Sequence, residues 1–233
     1  MKAIKMNIIN QFCQYRIPRF WKQTKTYLLP TYSSIIGMVH SACGMYEYEQ
    51  MTISIQGNIP NVTNEIETIY EFKPGAKWEE ARHNVQVSDY GMCKGIRRSD
   101  ILYESNLVIH IIMENTDEIA EKLFYPKNYM SLGRHEDLIN INDIKIVNIE
   151  NSKTFDNVED AFYIPESMFV CNNKNIHEST SGTILYLNEK YNIDKTNKSR
   201  NFNKIKCLYS TNKLIINEFE NKYVDEEGMV VFI

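Results

Sequence analysis

Residues 16–27, RIPRFWKQTKTY, hold four cations and three aromatic rings and contain no acid. Arg16, Arg19, Lys22 and Lys25 can neutralise phosphates, while Phe20, Trp21 or Tyr27 offers a face on which a base stacks. The same rings can instead serve as core anchors. Just downstream stand Thr31, Tyr32, Ser33 and Ser34, ahead of a helical pattern. The start of a helix has unpaired N–H groups and a partial positive charge, which suit phosphate oxygens; hydroxyls there also act simply as caps. In SLGRHEDLI, residues 131–139, Gly133 can take a positive φ and present Arg134 and His135 beside Glu136 and Asp137. Arg134 suits a phosphate, a base edge or a structural pair with Glu136. CKGIRRSD, residues 93–100, adds Lys94, Arg97 and Arg98, and it also reads as a solvated turn.

The charge is unevenly spread. Lys2, Lys5, Arg16, Arg19, Lys22 and Lys25 fall within residues 1–46 with no acid among them, so all 30 acids of a chain with net charge -4 lie downstream. Such asymmetry points to one polyanion-facing side. A few solvated lysines beside a strand would give the same count.

Other chemistries lack their supports. The five histidines, His40, His83, His110, His135 and His177, are far apart and form no ligand pair, and the five cysteines form no Cys-x-x-Cys. Neither a metal site nor a disulfide framework is expected. There is no phosphate-binding Gly-x-x-x-x-Gly-Lys loop, dinucleotide Gly-x-Gly-x-x-Gly or Gly-x-Ser-x-Gly elbow, so no cofactor is expected. A metal-free ribonuclease stays open, because a histidine, a lysine and a tyrosine suffice to move the protons of 2′-hydroxyl attack. Asn7, Asn10 and Gln11 interrupt any leader-like apolar run, and no stretch reaches membrane-span length; a soluble, cytoplasmic protein that binds no membrane is expected.

The elements that must position these residues follow from periodicity. Ile4, Met6, Ile8 and Phe12 predict a half-buried strand. Ile35, Ile36, Val39, Ala42 and Cys43 predict a helix that stops at Gly44. Gly37 inside it costs about 1 kcal/mol against alanine, which a close approach of a backbone or ligand would explain, as would packing. Met51, Ile53 and Ile55 predict a second strand, and residues 101–114 a long, largely buried third. Asn115 and Glu118 resemble a capping pair for a second helix that Pro126 ends, and residues 141–150 alternate as a fourth strand. The order β, α, β, β, α, β is the α+β, ferredoxin-like arrangement shared with RNA-recognition domains. It fills residues 1–150 and is interrupted by an insertion, 58–100, whose Ile66, Tyr70, Phe72, Pro74-Gly75, Val85 and Val87 predict a projecting hairpin. Short β signals at 162–170, 183–187, 205–216 and 229–233 predict a smaller β-rich subdomain over 151–233.

Three segments together resemble the CRISPR-associated Cas-five family, the subunit at the foot of type I Cascade complexes. YLLPTYSSIIGMVHSACG is similar to the family's proline, small-hydroxyl, glycine start of the first helix. IRRSDILYESNLVIHI resembles its Arg-rich lead into the third strand, and SLGRHEDLI its Ser-Leu-Gly-Arg-x-Glu-Asp loop. The resemblance implies a ferredoxin-like domain with a thumb-like hairpin and binding of the 5′ handle of the CRISPR RNA. It implies contacts with the Cascade backbone and large subunits, and with target DNA only indirectly. One branch of the family cleaves precursor RNA with a tyrosine, a lysine and a histidine; no such trio is identified here, and no catalytic residue is assigned. The expectation is a non-catalytic RNA-binding scaffold in antiviral defence. Its rivals are a metal-independent endoribonuclease of the same fold and an unrelated ferredoxin-like domain that binds protein or a small ligand.

Overall fold

The computed structural model describes the chain apart from Arg19, Trp21, Lys22, Thr180, Asp194, Lys195, Asn197 and Lys198. Strands β1 (Lys2–Cys13), β2 (Tyr15–Arg16), β3 (Gln23–Thr24) and β4 (Thr26–Tyr27) lead into helix α1 (Tyr32–Cys43). Strands β5 (Met51–Gly57), β6 (Asn61–Glu71), β7 (Val85–Val87) and the long β8 (Tyr90–Met113) precede α2 (Thr116–Phe124) and β9 (Asn140–Ser152). Then come β10 (Ala161–Pro165), α3 (Glu166–Cys171), β11 (Thr183–Ile193), β12 (Arg200–Ser210), β13 (Lys222–Asp225) and β14 (Val230–Val231). The molecule is α+β, dominated by antiparallel sheet.

The alternating apolar residues decide the register. Ile4 lies opposite both Ile111 of β8 and Ile146 of β9, and Ile53 opposite Ile111 from the other side. The order is therefore β5-β8-β1-β9, all antiparallel, with α1 and α2 as the crossovers. Ile35, Val39 and Ala42 of α1 and Ile119 and Leu123 of α2 pack on Ile4, Met6, Ile8 and Ile55, all buried. Gly44 ends α1 at φ 67, as its position predicts. Asn115 adopts φ 55 and makes no side-chain cap, so the expected capping pair does not form; Glu118 instead accepts from Lys122 at 2.6 Å.

The last third of the chain adds strands to both edges of this sheet. β10 pairs with β5, β12 with β10 and β11 with β12; at the other edge β13 pairs with β9 and β14 with β13. Successive residues of one strand face opposite sides, so β10 gives Tyr163 to the helix-side core and Phe162 and Ile164 to a second one. There Phe162 stacks on Phe232 at 4.8 Å and Phe169 meets Phe219 edge-on at 5.1 Å. Burying one such ring stabilises by roughly 1.5–3 kcal/mol. Two expected strands are shorter than their apolar runs: 162–170 turns into α3 after Pro165, and 205–216 ends at Ser210 before a 3₁₀ turn over Lys213–Glu218.

The reading of β1 as half-buried needs correction. Its second face is also covered: Ala3 packs with Val147, Ile149 and Val231, and Lys5 is only 4% exposed. The Lys5 ammonium donates to Asp225 and to Glu227, each at 2.6 Å, and His110 Nε2 lies 3.1 Å from the same Asp225 oxygen. Burial would raise the Asp225 carboxyl, but the hydrogen bonds from His110, Lys5 and the Met229 amide outweigh it and hold the group far below the usual range. Burial lowers His110 and prevails over the pull of Asp225, so the imidazole is neutral.

The insertion forms an antiparallel ribbon. β6 pairs with the first half of β8 from Asn61↔Tyr103 to Glu71↔Cys93, and its side chains are exposed along most of its length. The second half of β8 belongs to the main sheet. Glu104, at φ 57, marks the break between the halves, and the Asn58 side chain bridges it by donating to the Glu104 carbonyl and accepting from the Asn106 amide, both at 2.8 Å.

Candidate nucleic-acid interface

The end of β1 does not simply turn away from the sheet. Gln14 donates its backbone N–H to Asp137 at 2.9 Å and its side-chain amide to the Asp100 carbonyl at 2.7 Å. The basic segment that follows folds back on itself, with Tyr15 opposite Tyr27 and Arg16 opposite Thr26 in the β2–β4 pair. β3 then runs parallel to β8, Gln23 beside Arg98 and Thr24 beside Ser99. This short motif fixes Arg16 at the surface and ties the segment to the foot of the ribbon.

The 131–139 loop is built around Asp137, which is 3% exposed. Its carboxylate accepts from the Gln14 and Arg134 amides and from the Arg134 guanidinium, at 2.8–3.3 Å. Gly133 sits at φ 118, and a Cβ there would lie 2.7 Å from Asp137 Oδ2 and 2.9 Å from the Gln14 carbonyl. Only glycine fits at that point. The loop is thereby pinned against the end of β1, beside the start of α1.

These pieces enclose one groove of about 490 Å³. Its walls carry Arg16, the hydroxyl cluster Thr31, Ser33 and Ser34, and Gly133 with Arg134, three segments more than a hundred residues apart at their extremes. Thr31 Oγ1 lies 3.0 Å from Ser33 Oγ and 2.9 Å from Ser34 Oγ, so Thr31 spends its side chain on its neighbours and makes no cap to the backbone. The opposite wall comes from the β11–β12 pair: Tyr186, Asn188 and Lys204.

The cations differ in commitment. Burial would lower the Arg134 guanidinium, but Asp137, Glu136 and Glu67 outweigh it and hold its proton more firmly than usual. Glu67 also accepts from Arg97 at 2.7 Å, directly across the ribbon. Its carboxyl would rise through burial, yet the Arg97 hydrogen bond leads the effects that bring it below the ordinary value. Lys25 pairs with Asp100 at 2.9 Å. Among the described residues, Arg16 and Lys204 have no acidic partner.

No family model matches the sequence. No curated relative matches it either. Among solved structures, a chain of a CRISPR RNA-guided surveillance complex aligns at TM-score 0.59 with 13% identity, over 97% of this chain and 92% of that one. The chain shares its fold with a component of that complex. A Cas protein aligns at TM-score 0.38 and 11% identity over 58% of each chain, and a CRISPR protein from Archaeoglobus fulgidus at 0.43 and 11% over 99% and 98%; neither carries weight at those scores.

In this fold, Arg16, Thr31, Ser33, Ser34 and Arg134 converge on the groove. Lys94 and Arg98 are exposed on the ribbon, Arg97 lines a separate hollow there, and His135 stands 98% exposed beside Glu136. Lys25 does not line the groove. Arg19, Trp21 and Lys22 fall outside the described residues. The sequence reading missed Tyr186 and Lys204. The signal was present: in NKIKC, Lys204 and Lys206 alternate with the inward Ile205 and Cys207.

Proposed function

We propose that the chain is a Cas-five-type, non-catalytic RNA-binding subunit of a CRISPR RNA-guided complex, acting in the cytoplasm in antiviral defence, and that its groove holds the 5′ handle of the guide RNA. The observation that carries this reading is the convergence of the basic segment, the α1 start and the Gly133-Arg134 loop on one groove. Arg16 and Lys204 offer charge for phosphates, the hydroxyls offer hydrogen bonds, and Tyr186 and Tyr27 offer rings. The order β5-β8-β1-β9 with two crossover helices supports a ferredoxin-like core. The β6–β8 ribbon is its thumb, and residues 151–233 extend both edges of its sheet. Neighbouring backbone and large subunits would take the ribbon and the acidic surfaces, and target DNA would be met only through the guide.

The scaffold reading is preferred over the nuclease because no histidine is among the described residues that line the groove, and two of its phenols hold their protons more firmly than usual. Burial pushes Tyr15 well above its ordinary value and Tyr27 above it as well. The experiment is a titration of labelled single-stranded repeat RNA, with duplex RNA as comparison, followed by gel analysis in EDTA and in Mg²⁺. Preference for the single strand, with RNA left intact in both, is expected. Site-specific cuts would replace the scaffold with the nuclease, and no RNA binding would leave the protein-only reading.

A further inference from the structure

A second groove, of about 530 Å³, lies on the other side of Ser33 and Ser34 from the first. Its floor is the exposed face of α1 at Gly37 and His40, and its walls are Tyr48 and the Lys190–Tyr191 and Arg200–Phe202 stretches of β11 and β12. Lys190 sits over the Tyr48 ring at 5.4 Å, and Arg200 over the Tyr191 ring at 4.7 Å, with Tyr191 5.4 Å from Phe202. A cation against an aromatic face is a stacking surface that a base can extend or replace.

Two observations say that this groove is not simply packing. A Cβ on Gly37 would meet nothing within 4 Å, so neither a neighbouring backbone nor a side chain accounts for a glycine in mid-helix. The missing side chain leaves the helix face bare at the bottom of the groove. Beside it, His40 Nε2 is buried with no hydrogen-bond partner. Burial lowers its pKa despite the charge of Glu49, and its ring lies 6.0 Å from that of Tyr48, so it backs the Tyr48 wall of the groove. Glu189, in the wall, can accept from an N–H on a base edge.

We infer that this groove takes a nucleobase of a single-stranded RNA whose phosphates run through the first groove, stacked between the Tyr48 and Tyr191 sides. The inference rests on the RNA-binding reading and adds to it a second, base-holding subsite. Stacking on aromatic side chains is sequence-tolerant, so the subsite adds affinity more than it selects sequence.

The test uses the full chain and a single-stranded RNA carrying 2-aminopurine, whose fluorescence falls on stacking. Affinity is read by anisotropy for the wild type, for Tyr48→Leu with Tyr191→Leu, and for Gly37→Leu. The tyrosine pair is expected to weaken binding about tenfold or more and to abolish the quench at one position. Gly37→Leu, which adds its side chain to open space, is expected to do the same with no fall in melting temperature, so the test survives if the tyrosine variants fold poorly. Wild-type affinity and quenching in Gly37→Leu, with RNA binding still sensitive to Arg16→Ala, would overturn the subsite and leave the proposed function standing. No RNA binding by the wild type would overturn both.

Discussion

Lys5, His110 and Asp225 in the middle of the sheet, and Arg134, Asp137 and Glu67 beside the groove, use the same kinds of side chain at different depths. The first set is sealed: Lys5 and Asp225 are 4% exposed and His110 is not exposed at all. It clamps the C-terminal strands onto β1 and β8. In the second set Asp137 is buried as well, but its partners are only partly covered, with the Arg134 side chain 28% exposed and Glu67 23%. Depth decides what each can do. Buried charges are costly to separate and cannot exchange partners, whereas pairs open to water contribute little and can trade a carboxylate for a phosphate. The chain uses charge as a fastener in one place and leaves it partly open to solvent in the other.

Breaking the deep set should have the largest effect. Lys5→Met leaves Asp225 buried without its ammonium partner and should cost about 3–5 kcal/mol, measured by urea unfolding. A cost below about 1 kcal/mol would mean that water reaches the site.

Acid should attack the same set in two stages. His110 is held below its ordinary value of 6.5, so the unfolded chain takes up that proton first. Stability from this group is whole above that value and falls as pH drops through it. Asp225 is held below its ordinary 3.8, so its contribution is whole above that value and is lost as pH falls further. Denaturation midpoints between pH 8 and pH 2 should decline in that order. His110→Gln should remove the first stage alone, and persistence of that stage in the variant would assign it elsewhere.

The shallow set sharpens the contrast. Arg134→Ala should cost only about 1 kcal/mol, since Asp137 keeps the amides of Gln14 and of residue 134. It should weaken a cognate handle more than a scrambled one, which paired titrations would show. A stability loss as large as that of Lys5→Met would make Arg134 a fastener too.

Much of this was legible in the sequence because period and punctuation act locally. Ile4, Met6 and Ile8, the α1 apolar set and Gly44 identify their elements without tertiary help. Gly133 announces a positive φ, and it has one. What could not be read depends on segments remote in sequence. Lys5 occupies the polar phase of its strand and is nevertheless buried, because Asp225, 220 residues away, covers it. Asn115 and Glu118 have the spacing of a capping pair, but the chain enters α2 through a left-handed residue. Arg16, Thr31 and Arg134 were singled out separately; that they share a groove with Tyr186 and Lys204 follows from β11 and β12 curling against α1, which no local pattern encodes.

The central claim is that the groove holds RNA phosphates, and the salt dependence of binding tests it most directly. Arg16 and Lys204 are exposed and without acidic partners among the described residues, so replacing both with alanine should leave the melting temperature nearly unchanged. Binding of single-stranded RNA, titrated at several salt concentrations, should then lose two counterion-releasing contacts. The account predicts that the slope of log K against log salt shrinks by roughly 1.4. A slope identical to that of the wild type would place the phosphate track elsewhere on the molecule.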